Sequence, residues 1–225
     1  MPLPERLLRA PLTAEGLGAM LLAAAVIGSG IMADRLSGGN QAIALLANTG
    51  ATVAALATLI AMLGPVSGAH FNPVISLIAA VRGDLPASRA AAYTVMQVAG
   101  CCSGAMLANA MFELPLVEAS TRVRAGPAQW LSEAVATAGL VLVVLTSPTV
   151  REAAWRVAAW IGAAYWFTAS TAFANPAITI GRALSDTFAG IRPADVPAFL
   201  AAQFVGGLVG WRLARELMSR NARSS

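Results

Sequence analysis

Along the chain, long apolar runs alternate with short segments that hold nearly all of the charge. Six runs, at 12–33, 41–63, 87–110, 130–148, 154–171 and 196–214, are long enough or nearly so to cross a hydrocarbon core, which takes about 20 residues of helix. Two further apolar segments are too short to span, and each contains an Asn-Pro pair: Phe71-Asn72-Pro73-Val74 and Phe173-Ala174-Asn175-Pro176-Ala177. Proline at the first helical position gives up an N–H that has no partner there and presets φ. Asn-Pro followed by Val-Ile-Ser-Leu-Ile-Ala-Ala or Ala-Ile-Thr-Ile-Gly-Arg-Ala therefore predicts a helix start, with Asn72 and Asn175 as N-caps. The pattern predicts an all-α membrane protein.

Composition agrees with that reading. With 225 residues, 57% hydrophobic and 12% charged, and a mean hydropathy of +0.69, the chain cannot cover itself with polar groups as a soluble domain does. Met1–Pro11, with Arg6 and Arg9, precedes the first run as in a signal peptide. That run is too long, and no obvious mature domain follows Gly28-Ser29-Gly30, so it is read as a span. Cys101 and Cys102 are neighbours within the third run, point in different directions and have no third or fourth partner. They are read as packing residues, not as a disulfide or metal ligands.

All fifteen basic residues are arginine, and alternation of six spans sorts them by side. Arg6, Arg9, Arg82, Arg89, Arg151, Arg156, Arg212, Arg215, Arg220 and Arg223 share one side with both termini. Arg35, Arg122, Arg124, Arg182 and Arg192 fall on the other. The positive-inside tendency then predicts cytoplasmic N- and C-termini and a multi-pass protein of the inner (plasma) membrane. The pI near 10.0 reports this topology and requires no nucleic-acid partner.

The chain also repeats itself. Thr13-Ala14-Glu15-Gly16 opens the first span and Leu131-Ser132-Glu133-Ala134 the fourth, so each half begins with a glutamate one turn into a membrane helix. Each half then has its Asn-Pro segment and ends on a matching helix, with Gln97-Val98-Ala99-Gly100 in one and Gln203-Phe204-Val205-Gly206 in the other. Three spans per half is an odd number, so the second copy runs the other way through the membrane: an inverted 3+3 repeat. The two Asn-Pro segments enter from opposite faces. Backbone that is not helical is tolerated at membrane depth only where it is buried in protein or lines a wet cavity. Two half-helices meeting N-terminus to N-terminus fit that constraint, and each places about half a positive charge at the midplane. Such a midplane repels cations and suits neutral polar solutes.

These residues, Ser67-Gly68-Ala69-His70-Phe71-Asn72-Pro73-Val74 and Asn175-Pro176-Ala177 with Glu15, Glu133, Gln97 and Gln203, resemble the aquaporin and aquaglyceroporin family, the major intrinsic proteins. The resemblance covers about 12 to 214. It implies one channel domain over 1–225, with repeat 1 at about 12–110 and repeat 2 at about 130–214. Six transmembrane helices and two re-entrant half-helices would surround one pore per protomer of a homotetramer in the lipid bilayer. No cofactor and no metal are implied; the partners are small neutral solutes and water. Asn72 and Asn175, with Pro73, Val74, Pro176 and Ala177, would form the pore midplane and donate to the passing solute. Carbonyls of Gly68, Ala69 and His70, and of Ala172, Phe173 and Ala174, would form an acceptor ladder opposite an apolar wall. Glu15 and Glu133 would accept from loop amides, with Gln97 and Gln203 serving in the same way, as structural bonds and not a proton relay.

Two departures bear on what passes. Val74 stands where the family usually has alanine, and Ile178 stands where it normally has an arginine that narrows the pore. Arg182 lies one helical turn further on, and its rotamers are not expected to reach the same place without crossing that turn. Counting without gaps from the motifs puts the remaining filter positions at Thr52, Ala163 and Ala172, and an offset of one turn on the second helix would choose Asn48 or Gly50 instead of Thr52. The expected filter is Thr52, Ala163, Ala172 and Ile178, and His70 is a wall residue. Passage of arsenous acid and similar metalloid acids follows, with glycerol or urea next and water as a companion; an ordinary water or glycerol channel is the alternative. A secondary transporter would need ionisable coupling residues beside Asn72 or Asn175, and an ion channel a ring of one charge. One histidine and two adjacent cysteines do not make an enzyme site. A purely structural membrane protein is the remaining class.

Overall fold

The computed structural model describes residues 5–221, with side chains from 9 to 219. Arg6, Arg220 and Arg223, counted above in the charge asymmetry, lie outside the described side chains. Among the described residues eight helices follow one another: α1 (Glu5–Leu36), α2 (Gln41–Ser67), α3 (Pro73–Arg82), α4 (Ala87–Met111), α5 (Pro127–Thr146), α6 (Val150–Phe167), α7 (Pro176–Arg182) and α8 (Val196–Asn221), with a 3-10 turn at Pro193–Asp195. Their ends are set by local chemistry. Asn40 Oδ1 accepts from Ala42 N and Ile43 N to start α2, Thr149 Oγ1 accepts from Glu152 N to start α6, and Gly68 and Gly83 end α2 and α3 at φ 89° and 83°, which glycine adopts without strain.

The six long helices alternate in direction and each half-helix runs back to the face from which its loop enters, so the start of α1 and the end of α8 share one face, opposite the 112–126 connection and the end of α7. Helix α1 packs on α4 and α5 on α8, while α2 packs on α6. The first two crossings are close for the same reason. A Cβ on Gly100 would lie 2.3 Å from the Gly16 carbonyl oxygen, and one on Gly206 would lie 2.3 Å from that of Ala134. Small residues at equivalent points of each half let the backbones touch, which is how helices associate where no hydrophobic effect drives them together. Large apolar side chains such as Leu46, Met62, Val95, Leu131 and Val205 face outwards, as lipid-facing residues must.

Among the described residues five helices are long and apolar enough to cross a membrane by length and composition alone: α1, α2, α4, α5 and α8. The sixth, α6, has only 18 residues and carries Arg151, Glu152 and Arg156 in its first two turns. Arg156 pairs with Glu152 at 2.7 Å and stacks over Trp155, so those charges sit at the membrane boundary. The expected span at 154–171 therefore lies about one turn too far along the chain: α6 stops at Phe167, where the Thr168 hydroxyl donates to the Ala164 carbonyl and the chain turns in towards the midplane.

Candidate functional site

The two half-helices meet end to end, and the asparagines that cap them also tie them together. Asn72 Oδ1 accepts from Val74 N, and Asn175 Oδ1 accepts from Ala177 N and Ile178 N. Asn72 Nδ2 then donates to the Ala174 carbonyl and Asn175 Nδ2 to the Phe71 carbonyl, both at 2.8 Å. An amide nitrogen has two hydrogens. One closes this reciprocal lock, and the other has no protein acceptor among the described residues at the cavity that both residues line. Pro73, Val74, Pro176 and Ala177 are buried behind them. Val74 has its extra methyls opposite Gly207, where a Cβ would lie 2.4 Å from Val74 Cγ1.

Behind each lock is a matching frame. Both Glu15 oxygens are used, accepting from the Ser67 hydroxyl and His70 N on one side and from Phe71 N and Gln97 Nε2 on the other. Glu133 accepts from Phe173 N through Oε1 and from Ala174 N and Gln203 Nε2 through Oε2. Gln97 continues to Ser76 and Gln203 to Thr179, each four residues past its asparagine. The frame holds a strained backbone, because Ala69, Phe71, Ala172 and Ala174 have φ of 48–49°, the left-handed region that costs most residues energy. Alternate left-handed residues keep turning carbonyls one way. Among the described residues, no protein donor reaches the carbonyl oxygens of Gly68, Ala69, His70, Ala172 or Phe173, all of which belong to residues that line a cavity.

A cavity of about 250 Å³ runs past these loops. Its other wall is apolar: Leu22 and Leu140, each seven residues after its glutamate, line it together with Leu56, Ile60, Val157 and Ile161. Thr52, Ala172 and Ile178 line it, and so does His70, whose Nδ1 lies 3.0 Å from the Ser76 hydroxyl and whose ring packs edge-on to Tyr93. Ala163 does not. It is exposed on the outer face of α6, and Tyr165, 3% exposed, lines the cavity with its hydroxyl 3.3 Å from that of Thr52. Two residues along a helix is about half a turn, so an error of two in the count moves the assignment from the pore to the lipid. Of the alternatives on α2, Asn48 donates to the Val26 carbonyl and the Ser29 hydroxyl, and Gly50 is exposed. Tyr165 is one of two tyrosines in the chain, and a phenol within an apolar run was the signal that could have found it.

Arg182 also differs from expectation. It lies one turn beyond Ile178, but its guanidinium stacks 3.3 Å from the Phe173 ring centroid, donates through Nε to the Ala189 carbonyl, and lines the same cavity. Arg124, from the loop before α5, approaches the other side of the mouth. It donates to the carbonyls of Gly190, Ser170 and Phe188, and its guanidinium lies 4.9 Å from the Phe173 centroid. Burial first, then the charges of Arg182 and Arg122, pull the Arg124 pKa well below its ordinary value, against a smaller opposing pull from Glu133. The positive charge absent from position 178 is thus present around the mouth outside it.

Comparison with known proteins agrees with this geometry. Residues 5–165 match the sequence profile of the major intrinsic protein family. The chain is similar to "Aquaglyceroporin AqpS" of Rhizobium meliloti (strain 1021), at 53% identity over 91% of this chain and 88% of the relative. It is also similar to "Aquaporin NIP6-1" of Arabidopsis thaliana, at 27% identity over 93% of this chain and 69% of that one. The X-ray structure of the aquaglyceroporin from Plasmodium falciparum has the same fold, with a TM-score of 0.72 at 17% identity, covering 97% of this chain and all of that one.

Proposed function

The chain belongs to the major intrinsic protein family, a passive membrane channel for small neutral solutes and not an enzyme, and from that premise we propose that its cargo is compact uncharged hydroxy compounds: metalloid acids such as arsenous acid and small polyols, with water accompanying them. One observation carries this reading. Thr52, Tyr165, Ala172 and Ile178 line the cavity with two hydroxyls and two apolar groups, and no guanidinium stands at position 178. A solute that must shed water here loses roughly 1–3 kcal/mol per unmet hydrogen bond. A compact molecule with several hydroxyls can lean at once on the free loop carbonyls and on the paired hydroxyls, while the apolar side accommodates its bulk. Water alone makes less use of the extra width.

The test is flux in proteoliposomes for water, glycerol and arsenous acid, in wild type and Ile178→Arg. The expected outcome is passage of all three in wild type and, in the variant, a loss of larger-solute flux much greater than the loss of water flux. Equal loss of both, or wild-type vesicles permeable to water alone, overturns the reading. A plain glycerol channel is the second reading, and exclusion of arsenous acid with glycerol retained would establish it.

The same proposal treats the chain as one channel domain, with repeat 1 at about 12–110 and repeat 2 at about 130–214, assembled as a homotetramer in the inner (plasma) membrane. The arginines on the face of the termini, Arg82, Arg89, Arg151, Arg212 and Arg215 among them, support cytoplasmic N- and C-termini.

A further inference from the structure

The mouth opposite the termini contains a second cavity, open on one side, of about 300 Å³. Arg122, Arg124 and Arg182 all line it, and Arg182 also lines the pore cavity, so the two adjoin at that residue. Among the described residues no carboxylate lines this cavity. The nearby acids are committed elsewhere: Asp186 accepts from Thr121, Asp195 accepts from Arg192 and from Arg124 N, and Glu133 accepts from the loop amides and Gln203. None of the three arginines forms an ion pair among the described residues.

Arg182 is only 2% exposed, and of its guanidinium only Nε has a protein acceptor among the described residues, the Ala189 carbonyl. Its two terminal amino groups are without one. The Arg122 guanidinium, over the Phe188 ring at 5.0 Å, likewise donates to no protein group among those residues. A guanidinium does not escape burial by losing its proton. Three like charges held around one cavity, two of them buried, with unused donors in planar forks, are complementary to a tetrahedral oxyanion, whose oxygens accept from such forks in pairs.

We propose that this outer vestibule is a binding site for a small tetrahedral oxyanion of the phosphate or arsenate kind, held by Arg122, Arg124 and Arg182. Arg182 belongs to both cavities, so an anion bound there stands beside the pore cavity and slows neutral flux through it. It does not depend on which solute crosses.

The experiment measures inorganic phosphate binding to the purified full-length channel by titration calorimetry, and water flux in vesicles with phosphate on one side. Arg122 is exposed, so Arg122→Gln keeps the fold, whereas Arg124 and Arg182 tie loops together and their variants are not relied on. Arg35, exposed at the end of α1 on the same face and outside the vestibule, provides the control as Arg35→Gln. Expected are saturable phosphate binding in excess chloride, a roughly tenfold or greater rise in Kd in R122Q, no change in R35Q, and slower water flux only when phosphate faces this mouth. No saturable binding in wild type, equal weakening in both variants (an adventitious ion only), or slowing from the opposite face overturns the proposal. Repeating the titration in phosphatidylcholine vesicles with and without phosphatidylglycerol separates the two sources of phosphate. Retention in both supports a free oxyanion, and loss only with the anionic lipid makes its headgroup the ligand and overturns the assignment.

Discussion

Glu133→Ala tests whether the loop geometry depends on the buried carboxylate. Glu133 has no exposure, and the substitution leaves Phe173 N, Ala174 N and Gln203 Nε2 without their acceptor. Hydrogen bonds to a charged group are worth about 1.5–3 kcal/mol each, so three set a ceiling of about 4.5–9 kcal/mol. Two effects reduce it. Ala174, at φ 48°, can relax from the left-handed region once its N–H is released, returning roughly 1–3 kcal/mol. Removing the carboxylate also removes its desolvation cost, which is several kcal/mol for a buried ion. A net loss of about 2–4 kcal/mol is expected, equivalent to a fall in Tm on the order of 10 °C for a chain of this size. The assay is thermal unfolding of the reconstituted channel followed by tryptophan fluorescence, beside flux of water and glycerol at a temperature where the variant is folded. The solute ranking should not change. A variant that melts like wild type yet carries no flux would refute the reasoning, because the carboxylate would then act on the solute and not on the loop.

Asn175→Asp replaces the amide that donates to the Phe71 carbonyl with an oxygen that repels it, and puts a negative charge at the start of α7. It should admit a cation current in planar bilayers where wild type carries none, and a large wild-type cation current would refute the midplane barrier. Tyr165→Phe removes the hydroxyl 3.3 Å from that of Thr52; losing a contact worth about 1 kcal/mol should slow glycerol about fivefold and water much less, read by stopped-flow light scattering. Gly207→Ala places a methyl 2.4 Å from Val74 Cγ1 and should destabilise by about 1–3 kcal/mol, with Val74→Ala restoring the melting temperature in the double variant. Additive losses in that cycle would show that the two residues do not share the space.

Much of this site could be read from the sequence because its chemistry is local. Asn-Pro at a helix start specifies its own cap, and Glu15 with Gln97 could be matched to Glu133 with Gln203 because each glutamate opens the first span of its half and each glutamine stands three residues before a glycine in the last. What failed was distance along the chain through an irregular segment. Counting without gaps from the motifs crosses a stretch where α6 has already ended at Phe167, and it selects Ala163 where Tyr165 lines the cavity. Arg124 gave no signal at all, being one arginine in a loop, counted only for topology. Arg182 was placed correctly on its helix, but a long side chain that bends back over Phe173 is set by its surroundings and not by its register.

The reciprocal asparagine lock also constrains how the chain is made. Its two bonds join residues 102 and 104 positions apart, so at about 5–20 residues per second the first half waits roughly 5–20 s for the second to be synthesised. During that interval the Asn72 amide and the Phe71 carbonyl have no permanent partner, and α3 has nothing to meet at the midplane. The first re-entrant segment must therefore remain near water or the insertion machinery and take its final depth only after α7 arrives. Membrane entry of the first half and its folding are separate events in time.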